Sequence, residues 1–254
     1  MNKNHRLRLL SLAVMVALSA CGGGSGGATP AAVTPPVSVT PAPTPAALIT
    51  FNNVSVHDPA VTKVGSSYYS FGSHLAAAKT TDLMNWSKIA DGVNASNSLF
   101  NNVLTALADT FAWSTVVDLW RPYVIQLADG KFYMYYDSCQ GSSPLSAMGV
   151  AVADKIEGPY VNKQIILKSG GSVAGYNVNT QPNVVDPYLF HDASNKLWMM
   201  YGSYSGGIFI LAMDEATGLP LANQGYGKHL VGGNSSTIEG ASVIYSPQSK
   251  YYYI

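Results

Sequence analysis

The sequence predicts an all-β fold, and more narrowly a β-propeller. Short runs of aromatic and β-branched residues are separated by Gly, Pro, Asn, Asp and Ser, which is typical of strands joined by turns. One pattern occurs four times: a charged residue, a strand, a polar turn and an aromatic strand. The copies begin at Asp58, Arg121, Asp186 and Glu239, separated by 63, 65 and 53 residues. Repeats near 50 residues that each hold several strands predict propeller blades of four strands.

The first three repeats each continue with a further predicted strand. These strands are residues 76–80, 148–153 and 207–212, and turn residues follow each of them. Every complete repeat therefore has room for a fourth strand. A helix is expected only over residues 97–108, for one or two turns, because no other segment has a convincing helical periodicity.

Residues 1–21 have the pattern of an export signal. Basic residues precede the apolar run 9–17, which is too short to span a membrane. Leu18-Ser19-Ala20-Cys21 resembles the lipobox of bacterial lipoproteins, which implies lipid attachment at Cys21 and anchoring at the outer membrane or cell surface. An ordinary secretory signal is the alternative.

Residues 22–47 contain no charged residue and are rich in Gly, then in Pro, Thr and Ala. Such a segment cannot bury a core and is predicted to be a disordered linker. Residues 48–254 form the predicted folded part, long enough for one substantial core. Tyr251–Ile254 is predicted to be the second strand of the fourth repeat, and no turn signal follows it. We therefore expect an incomplete propeller of about three and a half blades.

The charge balance excludes some classes of partner. The signal carries three of the 14 basic residues and none of the 14 acidic ones, so the remainder is close to neutral. This argues against nucleic acid or an anionic membrane surface as a partner. Sixteen Tyr, seven Phe and four Trp favour a neutral ligand that stacks on rings, such as a sugar. We expect a monomer without disulfides, in which Cys139 is a buried apolar side chain.

The repeated acids predict a shared site. Equivalent residues of the innermost strands face the same end of a propeller axis, so Asp58, Asp186 and Glu239 should meet in one shallow pocket. Arg121 should lie near them, from the second blade. The alternative is that each acid only caps a turn before its strand.

Two carboxylates on either side of a glycosidic bond are sufficient for its hydrolysis. Glu239 is the better candidate for the proton donor, because its neighbours Thr237–Ile238 and Gly240–Ala241 are small or apolar. Asp58 follows His57 in a more polar setting and suits the base. Asp186 would raise the pKa of the acid by repulsion between like charges.

At these residues the chain resembles glycoside hydrolase family 43, whose members are five-bladed propellers that degrade arabinan and xylan. Within the family the resemblance is closest to endo-α-1,5-L-arabinanases, and it runs from about residue 56 to the last residue. The matching segments are Val56–Ala60, Tyr69–His74, Asp82–Trp86, Leu119–Pro122, Asn183–Pro187, Tyr201–Ser203 and Ser236–Ala241.

The resemblance implies an inverting hydrolysis of α-1,5-L-arabinofuranosidic bonds. Asp58 would be the general base, Glu239 the general acid, and Asp186 the residue that tunes and orients the acid. Inversion places the two carboxyl groups roughly 6.5–9.5 Å apart, with a water between base and sugar. The implied substrate contacts are His57, His74, Trp120, Asn183 and Tyr204. Alternatively, Trp120 packs between blades and His74 only bonds a turn.

Two features depart from the family pattern. The family usually has Trp-Ala-Pro where this chain has Trp120-Arg121-Pro122, so Arg121 could enter the pocket, pair with an acid or contact sugar hydroxyls. The family's axial ion, often Ca²⁺, is held partly by a His of the last blade, and no metal ligand is identified in these 254 residues. No cofactor is expected for the chemistry itself.

Three alternative functions differ in the residues that they require. The invertase and fructan enzymes are rejected because their Asn-Asp-Pro-Asn, Arg-Asp-Pro and Glu-Cys segments are missing. An exo-acting α-L-arabinofuranosidase or β-xylosidase of the same family stays open, because the sequence does not reveal whether the pocket is blind. A non-catalytic, glycan-binding lipoprotein also stays open. Degradation of arabinan, a neutral polysaccharide of plant pectin, is preferred.

Overall fold

A computed structural model describes residues 50–141 and 144–254. The predicted lipobox at Cys21 and the predicted linker 22–47 lie outside the described residues. In the part of the chain that the structure describes, no helix is both long and apolar enough to cross a membrane.

Three complete antiparallel sheets follow one another along the chain. Blade 1 contains β1 Ala60–Val64, β2 Ser67–Gly72, β3 Ala76–Thr80 and β4 Ser87–Ala90. Blade 2 contains β5 Trp120–Gln126, β6 Phe132–Cys139, β7 Ser146–Ala153 and β8 Val161–Ser169. Blade 3 contains β9 Tyr188–His191, β10 Leu197–Tyr201, β11 Ile208–Asp214, β12 Leu219–Pro220 and β13 Lys228–Val231.

Strands β14 Ile244–Tyr245 and β15 Tyr252–Tyr253 form a hairpin that begins a fourth blade. In blades 1 and 2 the strand order equals the chain order, and in blade 3 strand β11 pairs with both β12 and β13. The predicted all-β propeller of about three and a half blades is confirmed. The predicted third strands correspond to β3, β7 and β11.

Strand β6 separates two hydrophobic cores. All eight of its residues are buried, and successive side chains point to opposite faces. Phe132, Met134 and Tyr136 pack into the core shared with blade 1, whereas Tyr133 and Tyr135 pack into the core shared with blade 3. The consecutive apolar and aromatic residues Phe132–Tyr136, instead of an alternating pattern, reflect burial on both faces.

The helical segment begins later than the predicted residues 97–108, ends beyond them, and is longer than the predicted one or two turns. Helix α1 is Val103–Ala106, helix α2 is Ala108–Ser114, and a 3₁₀ turn covers Ser73–Leu75. The side chain of Asn102 accepts backbone hydrogen bonds and caps α1. Phe111 of α2 is buried in the core of blades 1 and 2, so tertiary packing, which a local pattern does not reveal, stabilises the second helix.

The end of β2 passes close to the backbone that precedes Asp58. A Cβ atom on Gly72 would lie closer than 3.0 Å to the carbonyl oxygen of His57. The adjacent Ser73 N–H donates to the same oxygen at 2.9 Å. The absence of a side chain at Gly72 therefore allows β2 to approach the segment that carries Asp58.

We predict that Gly72→Ala lowers the free energy of unfolding by about 1–3 kcal/mol, because the added methyl group overpacks this contact. Urea unfolding measures the loss. Gly171→Ala is the matched control, since a Cβ at Gly171 has no atom within 4 Å and no left-handed φ opposes it. An equal loss in both variants would contradict the prediction.

Candidate active site

The residues that open the first three sequence repeats share an uncommon backbone conformation. The φ angles of Asp58, Arg121 and Asp186 are 48°, 34° and 59°, in the left-handed region, and a proline follows each. In the fourth repeat the positive φ, 58°, belongs to Gly240. Glu239 therefore lies one residue before the position that the sequence assigned to it. Its counterparts in the other blades are His57, Trp120 and Val185.

A second conformation recurs where blades 1 and 3 meet the next blade. His74-Leu75 and Tyr204-Ser205 are each two consecutive residues with positive φ. The N–H of His74 donates to the Leu119 carbonyl at 2.7 Å, and the N–H of Tyr204 donates to the Ile238 carbonyl at 2.7 Å. His74 and Tyr204 thus occupy equivalent connections between neighbouring blades.

The three repeated acids line one cavity of about 420 Å³. It also includes four of the five predicted substrate contacts; His74 is outside the lining. The lining residues are His57, Asp58, Trp120, Cys139, Gly141, Asn183, Val185, Asp186, Ser203, Tyr204 and Glu239. Acids contributed by blades 1, 3 and 4 therefore line one space.

Asp58 is exposed and held by two neighbours. Its Oδ2 accepts a hydrogen bond from Ser73 Oγ at 2.9 Å and lies 3.2 Å from Nδ1 of His57. Ser73 Oγ also accepts the backbone N–H of Arg121 at 3.1 Å. One hydroxyl group therefore fixes the Asp58 carboxylate and joins the first blade to the second.

Glu239 is exposed, and its carboxylate is bonded to the segment that follows β10. Tyr204 Oη donates to Oε1 at 2.8 Å, and Ser203 Oγ lies 3.5 Å from Oε2. The hydrogen bond to the Glu239 carboxylate, together with its charge, raises the pKa of Tyr204. Tyr204, a predicted substrate contact, lines the cavity, and its hydroxyl group is bonded to Glu239. The apolar flanks of Glu239 do not bury it, because neighbouring chain segments leave this side chain open.

Asp186 lies deeper than the other two acids and joins blades 3 and 4. Its Oδ2 accepts the Gly240 N–H at 3.1 Å, and its own N–H donates to Oδ2 of Asp137 at 3.1 Å. Burial raises the pKa of Asp186, whereas the nearby Arg121 guanidinium and the Gly240 N–H act in the opposite direction. Burial and hydrogen bonding thus distinguish Asp186 electrostatically from its exposed neighbours.

Asp137 is a fourth acid at this centre, and the sequence analysis missed it. It is fully buried on β6, and burial, followed by the negative charge of Asp186, raises its pKa well above the ordinary value. The signal in the sequence was a single charged residue within the apolar run Phe132–Cys139. A carboxyl group inside a strand that is buried on both faces requires a specific environment.

Arg121 lies beside these acids but does not line the cavity. Its positive guanidinium opposes the rise that burial causes in the pKa of both Asp137 and Asp186. Nη1 of Arg121 approaches Gly240 so closely that a Cβ atom there would lie 3.2 Å from it. Of the three roles considered for Arg121, this position favours electrostatic interaction with an acid.

Rings and amide groups complete the rim and wall. His74 Nδ1 lies 2.8 Å from Oδ2 of Asp118, and its ring centroid is 5.2 Å from that of Trp120 and 6.1 Å from that of His57. Trp120 Nε1 donates to the Cys139 carbonyl at 3.2 Å. His74 therefore supports the aromatic rim from behind, while Trp120 and His57 face the cavity.

Asn183 and Cys139 are both buried cavity-wall residues. Asn183 Oδ1 accepts a hydrogen bond from Ser146 Oγ, which orients its amide group. Burial raises the pKa of the Cys139 thiol, in agreement with the prediction of an unreactive, buried cysteine. Within residues 50–141 and 144–254, no group of three or more His, Cys, Asp or Glu side chains is arranged to hold a metal ion.

Comparison with known proteins identifies relatives of this chain. The family model for glycosyl hydrolases family 43 matches residues 50–254. Extracellular endo-alpha-(1->5)-L-arabinanase 2 of Bacillus subtilis is 55% identical over 209 residues, which cover 80% of this chain and 45% of that protein. The extracellular endo-alpha-(1->5)-L-arabinanase of Thermotoga petrophila is 48% identical over 215 residues, covering 81% and 46%.

A crystal structure of the glycoside hydrolase family 43 YxiA protein from Bacillus licheniformis superposes with a TM-score of 0.78 at 57% sequence identity. The match covers 80% of this chain and 47% of that chain. The chain thus spans about half the length of the relatives that it matches.

We predict that Glu239→Gln lowers the pKa of Tyr204 toward its ordinary value near 10, because the variant removes the negative charge that opposes loss of the phenolic proton. The ¹³Cζ resonance of Tyr204, assigned with Tyr204→Phe, reports the titration. Glu157→Gln is the control, because Glu157 pairs with Lys79 instead. An unchanged titration in Glu239→Gln would refute the assigned contact.

Proposed function

The chain belongs to glycosyl hydrolases family 43, and on this premise we propose that its cavity hydrolyses α-1,5-L-arabinofuranosidic bonds in arabinan. The observation that carries the proposal is the meeting of three carboxylates from three blades in one cavity with an aromatic wall. The family and the two arabinanase relatives support the substrate class. The near-neutral chain is suited to an uncharged polysaccharide.

Asp58 is proposed as the general base. Its open position leaves room for a water, and its bonds to Ser73 and His57 hold the carboxylate in place. As the water oxygen bonds to the anomeric carbon, Asp58 accepts one of the water protons. Attack from the side opposite to the leaving oxygen inverts the anomeric configuration.

Glu239 is proposed as the general acid. It transfers its proton to the glycosidic oxygen as the bond from that oxygen to the anomeric carbon breaks, and the electron pair of the bond stays with the oxygen. Exchange with solvent then returns a proton from Asp58 and supplies one to Glu239. Asp186 lies close enough to Glu239 for the two carboxyl groups to interact electrostatically, and its proposed role is to tune and orient the acid.

The environments also define a rival assignment, in which Asp186 is the acid. Burial raises the pKa of Asp186, while Glu239 is exposed and accepts a hydrogen bond from Tyr204. Glu239 is preferred because its exposed carboxyl group lines the cavity, whereas Asp186 is more deeply buried and its carboxylate accepts the Gly240 N–H.

The substrate test uses linear and debranched arabinan. We predict short oligosaccharides as first products, because the cavity is bordered by exposed segments such as the one that carries Tyr204. Arabinose as the sole product would indicate an exo-acting enzyme, and retention of the polymer without cleavage would indicate a glycan-binding protein. ¹H NMR of the first products determines whether the anomeric configuration is inverted.

The acid assignment is tested with two leaving groups. Glu239→Gln is expected to reduce kcat on arabinan by about 10²–10⁴-fold, yet to retain most activity on a dinitrophenyl arabinotrioside. The activated phenol departs without a proton, so only the acid variant should show this difference. If Asp186→Asn shows the difference and Glu239→Gln does not, Asp186 is the acid.

We further propose that the chain is exported and lipidated at Cys21. The lipobox pattern supports this proposal, and both arabinanase relatives are extracellular. In a bacterial host we predict palmitate incorporation and membrane recovery of the wild-type protein, with both lost in Cys21→Ser. Recovery of unlabelled wild-type protein in the soluble exported fraction would favour an ordinary secretory signal.

A further inference from the structure

We infer that Arg121 is a positioning residue for the proposed reaction: its guanidinium is the counter-cation that keeps Asp186 charged and in place where blades 2, 3 and 4 meet. The kinetic consequences rest on the proposed function, whereas the electrostatic role does not. Three observations carry the inference: the place of Arg121 in the repeat, its seating, and the charges around Asp186.

The repeat brings a cation to a place that two other blades fill with an acid. Arg121, Asp58 and Asp186 have the same left-handed backbone conformation before a proline, so their side chains start from equivalent positions around the axis. Asp58 and Asp186 carry the negative charges of the candidate site. A positive charge from the blade between them therefore reaches the same centre.

Arg121 makes a specific contact with its backbone and another with its guanidinium group. Its backbone N–H is bound by Ser73 Oγ, the same group that holds Asp58. Its guanidinium packs against Gly240, where a Cβ atom would lie 3.2 Å from Nη1 and 3.8 Å from Cζ. Gly240 donates its N–H to Asp186, so the guanidinium lies against the residue that holds the carboxylate.

The surroundings of Asp186 are otherwise acidic or uncharged. Arg121 is the one cation among the described charged groups that act on Asp186 or on its partner Asp137. The other titratable groups that interact with these two acids are Glu239, Tyr204 and Cys139. Burial disfavours a carboxylate at this depth, and a single cation offsets that cost.

Asp137 completes the arrangement from below. It is fully buried and holds the backbone N–H of Asp186. Within the described ranges, Asp137 Oδ1 and Arg121 Nη1 are both buried without a hydrogen-bond partner. Two acids thus share one poorly solvated space with one cation, and Asp137 is the more deeply buried of the two.

If Arg121 acted only by packing, a variant that changes its shape would also lower activity. The test therefore needs a readout that responds to the charge. Arg121→Met keeps much of the side-chain length and removes the cation, while Arg121→Lys retains a cation. Arg121→Gln provides a second uncharged variant if Met is not tolerated. Lys131→Met is the matched control, because Lys131 pairs with Asp154 away from these acids.

The kinetic test is the pH profile of kcat/KM on linear arabinan. Without its cation Asp186 ionises only at higher pH, so we predict that Arg121→Met moves the acidic limb upward by about one to three pH units. Arg121→Lys restores the limb in part, and Lys131→Met leaves it in place. A uniform loss of activity at every pH would indicate packing and overturn the inference.

The second readout needs no activity. In the folded Arg121→Met variant the pKa of Asp186 should be raised further above its unfolded value. The free energy of unfolding that is present at low pH is then lost more steeply as the pH rises through the folded pKa. Urea unfolding between pH 4 and 8 measures the slope, and adding Asp186→Asn should remove the extra slope.

The two readouts separate the inference from the proposed function. A protein that cleaves no arabinan but shows the steeper slope in Arg121→Met would overturn the function and retain the charge assignment. An unchanged slope and an unchanged acidic limb would overturn the role of Arg121 even if arabinan is cleaved. A slope that persists in the double variant would show that another group responds to the cation.

Discussion

Strand β6 must be buried on both faces, and this requirement links the three complete blades. Its alternating side chains supply the core between blades 1 and 2 and the core between blades 2 and 3. Neither core can be changed without affecting the strand that both share. The same strand places Asp137, which holds the backbone N–H of Asp186, beneath the cavity. The propeller core and the candidate site are therefore joined through a single strand.

Much of the fold could be predicted from the sequence, because period-two strands, turn residues and a repeat leave strong local signals. The repeat also brought Asp58, Asp186 and Glu239 together correctly, and the structure places them in one cavity. The one-residue difference at Gly240 could not be read from the sequence. It appears only in the backbone angle, since Glu239-Gly240 lacks the proline that marks the other three copies.

The remaining differences arise from contacts between distant segments. Helix α2 depends on Phe111 reaching a core formed by two blades. The sequence neighbours of Glu239 are small or apolar, yet its exposure is set by chain segments that lie elsewhere in the sequence. Asp137 was visible as an isolated charge in an apolar strand, but its partners are Arg121 on the neighbouring strand β5 and Asp186 of blade 3. Sequence reasoning identifies candidate groups, whereas tertiary packing sets their protonation.

The repeated connection between blades has a consequence for how such proteins acquire new activities. At His74 and Tyr204 the same left-handed backbone makes the same 2.7 Å bond to the following blade. The side chains differ: one imidazole reaches Asp118 and one phenol reaches Glu239. At these two connections the main chain makes the hydrogen bond between blades, so this contact places no requirement on the side chain. A mutation at such a connection can therefore change the chemical groups that one blade contributes, while the hydrogen bond between the blades is kept.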